Sequence, residues 1–213
     1  MNAGTPADTV DVAQVLDDQK ITRFNIALLV FSFLVMMTDG YDLGAAAFAG
    51  PALIKEWHVS GQMLGILFSS SLAAGLFGPP LFGYIADRIG RRRAVIGGAI
   101  CFGVATLGAV FVQSPEQLIG VRIVAGLLLA GTLPIVVALN NEFAPRRIRA
   151  TMVVMMFTGV TFGGGLPGLV AANFMGEYGW RILFWIGGLA PIAIAILLVF
   201  VLPESVRAMV KSW

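Results

Sequence analysis

The sequence predicts an all-α membrane protein whose six transmembrane helices form two inverted three-helix repeats, and three observations carry that expectation. Hydrophobic residues make up 58% of the 213 residues, charged ones 12%, and the mean hydropathy is +0.87; a water-soluble domain of this size is far less apolar. The apolar residues fall into six runs, each close to the ~20 residues that a spanning helix needs. Basic residues alternate between connections. Lys20 and Arg23 precede the first run, Arg88, Arg91, Arg92 and Arg93 follow the second, Arg146, Arg147 and Arg149 the fourth, and Arg207 and Lys211 the last, whereas the odd connections hold only Lys55 and Arg181. Lys and Arg are retained on the cytoplasmic side, so both termini are expected there. Six spans with both ends inside is what paired inverted repeats give.

The same arithmetic excludes other classes. A net charge of +2 is too small and scattered for a nucleic-acid surface. Cys101 is the single cysteine and His58 the single histidine, too few for a transition-metal site or an intrachain disulfide, and no cofactor is expected.

Residues 1–23 are polar, with Asp8, Asp11, Asp17 and Asp18, and read as a cytoplasmic tail; a secretory leader opens with a basic segment instead. The first span is expected over 24–48, ended by Pro51 with Lys55 and Glu56; His58 in the connection that follows is expected to face solvent. The second, 62–85, stops at Asp87 to Arg93, and Pro79–Pro80 predict a kink inside it. The third covers 94–113. Ser114-Pro115-Glu116-Gln117 has the spacing of a helix start and opens the fourth, 117–139, with a kink expected at Pro134. The fifth covers 151–172 and the sixth 181–202; 203–213 would begin a cytoplasmic linker. Gly40 and Gly44, Gly61 and Gly65, Gly159 and Gly163, and Gly164 and Gly168 are spaced for close helix contact. Gly163 to Gly168 read as a flexible packing segment, and Trp57, Trp180 and Trp185 as interfacial anchors.

Charges inside spans mark the chemistry. Asp39 and Asp42 lie three residues apart in the first span, and Arg122 lies inside the fourth. An ionised group at the centre of a span costs about 2.5–3.5 kcal/mol, so these three should face the bundle interior or water. At ~1.5 Å per residue, Asp39 is about 22 Å from the cytoplasmic end and Arg122 roughly 7–9 Å below the outer boundary, similar depths in a core about 30 Å thick. The two could pair or line one cavity; Asp42, nearer the boundary, is either solvated or functional.

The connection Gly83-Tyr84-Ile85-Ala86-Asp87-Arg88-Ile89-Gly90-Arg91-Arg92-Arg93 carries the most specific pattern. Asp87 falls at a helix C-terminus, where the macrodipole disfavours a carboxylate, so it should have a compensating partner, an arginine of the cluster or another helix's N-terminus. Gly83 should admit a neighbouring helix and Gly90 a tight turn.

This G-x-x-x-D-R-x-G-R-R-R resembles the signature loop of the major facilitator superfamily. Arg122-x-x-x-Gly126 with Ala130-Gly131 is similar to that family's second motif, Glu142-x-x-Pro145-Arg146-Arg147-x-Arg149 to its loop after helix four, and Pro203-Glu204-Ser205 to the segment after helix six. The resemblance implies half of a twelve-helix fold, with substrate held between two six-helix halves near the midplane. The chain would then be a fragment, a split-gene product, or a half that pairs with another copy. It also implies a cytoplasmic gate of Gly83, Asp87, Arg88, Gly90, Arg91, Arg92, Glu142, Arg146 and Arg149.

Asp39-Gly40-Tyr41-Asp42 is similar to the motif of the aromatic acid:proton symporters. That resemblance implies a carrier of the inner membrane for small organic acids, with aromatic carboxylates and protons as cargo, Asp39 and Asp42 in proton coupling, and Arg122 and Tyr41 at the substrate. A sugar or other metabolite carrier of the same superfamily is the alternative, favoured by Pro203-Glu204-Ser205 and opposed by the paired acids. A six-helix channel lacks a filter or sensor pattern. An intramembrane enzyme lacks a nucleophile or metal constellation.

Overall fold

The computed structural model describes residues 22–201, all but short connections of them helical. The N-terminal tail, the Pro203-Glu204-Ser205 segment, the linker and the side chain of Arg146 lie outside the described residues. Helix α1, Arg23–Trp57, starts on a capping box in which Thr22 Oγ1 accepts from the Asn25 amide at 3.3 Å. It passes through Pro51 and continues to Trp57, beyond the stop expected at that proline. The second apolar run divides into α2, Gly61–Gly75, and α3, Gly78–Ile89. Pro79 and Pro80 have no amide hydrogen to continue the α2 ladder, so they sit in the first turn of a new helix. Gly90, at φ 92°, ends α3 and starts α4, Arg91–Gly108. Only a glycine makes that turn without strain.

Helix α5, Pro115–Phe143, opens on Ser114, whose Oγ accepts from the Gln117 amide at 3.3 Å. Gln117 Oε1 reaches one residue farther back than the expected box, to the Gln113 amide at 2.9 Å. Pro134 lies inside α5. Helix α6, Arg146–Tyr178, begins about a turn earlier than the span expected at 151, because Pro145 supplies a ready helix entry. Helix α7, Arg181–Val201, closes the described chain. Among the described residues, α1, the combined α2–α3, α5, α6 and α7 are long and apolar enough to cross a membrane. Helix α4 is 18 residues long, has three arginines in its first turn, and packs between α5 and α7.

The pairing of helices shows the inverted repeats. Helix α1 packs mainly on α6, and α5 on α2 and α3; α4 packs mainly on α7. Exchanging the first three spans for the last three turns the α1–α6 pair into the α5–α2/α3 pair and leaves the α4–α7 pair in place, as a pseudo-two-fold requires. Small residues make the close approaches. A Cβ on Gly40 would strike the backbone of Val160, one on Gly163 the backbone of Met37, and one on Gly126 the backbone of Ser71. Gly163 is thus part of a tight α1–α6 seam, not of a flexible segment. Gly61 and Gly65, with the same spacing, face open space.

The two larger of three apolar clusters among the described residues lie toward opposite ends of the bundle. One holds Met36, Phe82, Val136, Met156 and Leu198; the other holds Tyr41, Leu53, Leu67, Trp180 and Phe184. Large exposed apolar side chains lie on the α2–α3 span, including Leu72, Leu76 and Phe77, on α6, including Val154, Phe162 and Leu169, and on α7, including Ile196, Leu197 and Phe200.

Candidate functional site

Three residues on an α-helix turn a side chain by about 300°, so Asp39 and Asp42 differ in direction by about 60°. That rotation separates their environments. Asp42 points at α5 and accepts from Arg122 Nη1 at 2.6 Å, and the two residues are 4% and 2% exposed. Asp39 is half-buried, shares a stripe of α1 with exposed Leu43 and Ala47, and makes no hydrogen bond or ion pair with the described residues. The pairing of Asp39 with Arg122 suggested by depth is therefore corrected to Asp42 with Arg122, and Asp42 is not a solvated acid. Depth along the axis ranked the acids, but rotation about it chose the partner.

A charge pair this deep survives only with close geometry, since each ion loses several kcal/mol of hydration. Arg122 Nε is buried without a partner. Tyr41, two residues from Asp39 and so on the far side of α1, donates its hydroxyl to the Leu183 carbonyl of α7 at 3.1 Å. Its ring lies beside Gly187, where a Cβ would come within 3.0 Å of it. Two further polar contacts tie α1 to the other end of α5: Asn25 Nδ2 donates to the Phe143 carbonyl at 2.7 Å, and Asn140 Nδ2 donates to the Ser32 hydroxyl. Neither was legible in the sequence, because single Ser and Asn residues in apolar runs carry no spacing pattern.

At the arginine-rich end, Arg91 pairs with Glu142 of α5 and Arg92 donates to the Val199 carbonyl at the end of α7. Arg149 donates to the Ala144 carbonyl at 3.3 Å, and the Arg88 guanidinium lies 4.3 Å from the Tyr84 ring centre. Of the expected gate residues the structure thus joins Arg91 to Glu142 across α4 and α5, while Arg92 turns to α7 and Arg149 to the carbonyl just before its own helix. Asp87 is exposed and has no hydrogen bond or ion pair among the described residues, so the compensating partner expected for it is not found there. Gly83 likewise has nothing within 4 Å of an added Cβ, and no helix among the described residues uses the access it offers.

The opposite end holds a cluster that sequence reasoning missed. Arg181, the first residue of α7, pairs with Glu56 Oε1 at 2.9 Å and donates to the carbonyls of Val110 at 3.2 Å and Val112 at 3.4 Å. Trp180 donates from Nε1 to Glu56 Oε2 at 2.7 Å and meets Trp57 edge-on at 5.3 Å between ring centres. Trp180 is 1% exposed, a core residue and not an interfacial anchor, whereas Trp185 is 40% exposed. A cation at a helix N-terminus opposes the macrodipole, the same signal that singled out Asp87. Applied to Arg181, it would have found this cluster. His58 is exposed and ends α1 at φ 52°. Among the described residues no three His, Cys, Asp or Glu side chains converge as a metal site.

Residues 29–212 match the family model described as Major Facilitator Superfamily. The chain is 33% identical over 202 residues to the 4-hydroxybenzoate transporter PcaK of Pseudomonas putida, covering 95% of this chain and 45% of that protein. It is 32% identical over 203 residues to the gallate transporter of the same organism, and 33% over 208 residues to the benzoate transport protein of Acinetobacter baylyi, in each case over 95% of this chain. It therefore spans about 45% of the length of the first two. Among solved structures, the inward-open xylose transporter XylE of Escherichia coli superposes with a TM-score of 0.76 at 21% identity, over 86% of this chain and 49% of that one. At that identity the likeness is one of fold.

Proposed function

Since this chain belongs to the Major Facilitator Superfamily and is a multi-pass membrane protein, we propose that it supplies one six-helix half of a proton-coupled symporter for small aromatic carboxylates. The observation that carries the reading is the buried Asp42–Arg122 pair. Relatives that transport 4-hydroxybenzoate, gallate and benzoate support the substrate class.

The chemistry follows from charge balance. With Asp42 ionised, Arg122 is neutralised and sealed. A proton on Asp42 removes its charge, and Arg122 then offers Nη and the unpartnered Nε to a substrate carboxylate in the planar, two-point geometry that suits a guanidinium. One proton and one monocarboxylate leave the site with no added charge. Asp39, on the open stripe of α1, is the acid through which the proton reaches Asp42. Tyr41 holds α1 against α7 through Leu183 and shapes the site from behind.

The second half, or another copy of this one, would cover the exposed apolar faces of α2–α3 and α6 and supply the partners for Asp87 and Gly83. The arginine-rich end and both termini would face the cytoplasm, in the cytoplasmic membrane. The test is accumulation of labelled 4-hydroxybenzoate in liposomes holding a full-length carrier that contains this chain, under an inward proton gradient. Gradient-dependent uptake insensitive to xylose is expected. Accumulation of xylose with none of 4-hydroxybenzoate would replace this reading with that of a sugar carrier.

A further inference from the structure

The cluster at the Trp180 end has a counterpart at the other end of the bundle, related to it by the inverted repeat. Glu142 is the last residue but one of α5, and Glu56 is the last but one of α1. Their partners Arg91 and Arg181 are the first residues of α4 and α7. The pseudo-two-fold that exchanges α1 with α5 and α4 with α7 therefore carries one ion pair onto the other. The likeness extends to the backbone. Helices α4 and α7 run antiparallel and cap one another: Arg92 donates to the end of α7 at Val199, and Arg181 donates to the segment just after α4 at Val110 and Val112. The Val110 and Val112 carbonyls lie past the last turn of α4, and four residues after Val199 stands Pro203, which has no amide hydrogen to give it.

The two ends differ in what precedes the acid. Pro51 stands in α1 six residues before Trp57 and cannot donate to the Ala47 carbonyl, which removes one rung of the helical ladder. Beyond that break, Pro51–Trp57 is held by Glu56 and Trp57 against Trp180 and Arg181 at its far end and by Leu53, 1% exposed, in the apolar cluster around Leu67 and Trp180. Nothing comparable interrupts α5 near Glu142, where the nearest proline within the helix is Pro134.

We propose that Pro51–Trp57 is a hinged strap, latched by Glu56 to Arg181 and Trp180, at the end of the bundle opposite the arginine-rich loop. Arg181 holds two elements at once, the end of α1 through Glu56 and the end of α4 through its carbonyls. Release of Glu56 leaves Leu53 and Trp57 as the strap's remaining anchors, so that it samples a swung position at Pro51 while the α4–α7 pair stays capped. The inference rests on the inverted repeat and the contacts above, and is independent of which substrate the protein carries.

The test measures distance and needs no transport assay. In a full-length carrier containing this chain, with Cys101→Ser, spin labels are placed at Lys55 and Gln113, both exposed, one on the strap and one beyond α4. A second label pair at Arg93 and Arg147 reports the opposite end. Pulsed electron paramagnetic resonance should give one narrow distance for Lys55–Gln113 in the parent. Glu56→Gln, an isosteric change at a side chain 40% exposed, should add a second, longer population there and leave the Arg93–Arg147 distance unchanged. Arg181→Lys should add the longer population as well, since an ammonium cannot span Glu56 and two carbonyls together. An unchanged Lys55–Gln113 distance in both variants overturns the strap. Equal broadening of both label pairs overturns it too, because that marks a loosened fold.

Discussion

Asp42 and Arg122 lock one another in place, and their interdependence can be measured. Removing one partner of a buried pair strands the other charge and costs about 3–5 kcal/mol. Asp42→Leu and Arg122→Met should each lower the thermal midpoint of the purified carrier sharply, and the double variant should regain most of it. Gradient-driven uptake should stay absent in all three. Recovery of uptake by the double variant would reduce the pair to a folding device. Asp39→Asn serves as the control, because Asp39 has no partner among the described residues and its loss should leave the midpoint unchanged. The sequence revealed all three charges through the cost of placing them in a span. It could not reveal which acid meets the arginine, because hydropathy fixes the depth of a residue and says nothing about how neighbouring helices are rotated.

At the scale of elements, the same spacing of small residues has two outcomes. Gly163 presses on the backbone of Met37, and an added methyl has nowhere to go. Gly163→Ala should therefore cost about 1–3 kcal/mol, the usual penalty of overpacking. Gly65→Ala should be neutral or slightly stabilising, since Gly65 faces open space and alanine is the better helix former. Chemical or thermal unfolding in detergent compares the two directly, and equal losses would mean that Gly65 also meets a helix. A glycine pair four residues apart says that helices can approach, and only the partner's position says that they do. Helix boundaries failed for a related reason. Pro51 reads as a stop and the fifth span as starting at 151, yet a proline within a lipid-buried helix loses one hydrogen bond, and Pro145 just before a helix costs none. The break at Pro79–Pro80 was legible because two consecutive residues lack the amide.

For the whole molecule, the alternation of basic residues and the six apolar runs made the bundle legible, and the α1–α6, α5–α2/α3 and α4–α7 pairings express its symmetry. The chemistry of the gate was only half legible. Arg91 and Glu142 meet within the chain, whereas Asp87 and Gly83 face outward. Asp87→Asn should leave the thermal midpoint of the isolated chain unchanged. In a full-length carrier it should cut uptake per molecule in the membrane severalfold, because a carboxylate at the unfavourable end of a helix is retained where it favours one conformation. Uptake normalised to membrane-inserted protein reads this out, and parental uptake would leave the loop as an anchor alone. The burial of Arg122 against Asp42 also bears on how the chain is made. Helices enter the bilayer in order of synthesis, and α5 brings a guanidinium that costs about 2.5–3.5 kcal/mol near the centre of a lone span. Its carboxylate is already waiting, carried in by α1 some eighty residues earlier. The order of synthesis thus places the acid in the membrane before the arginine, so a chain with its two three-helix repeats exchanged should present the membrane with an unpaired arginine first.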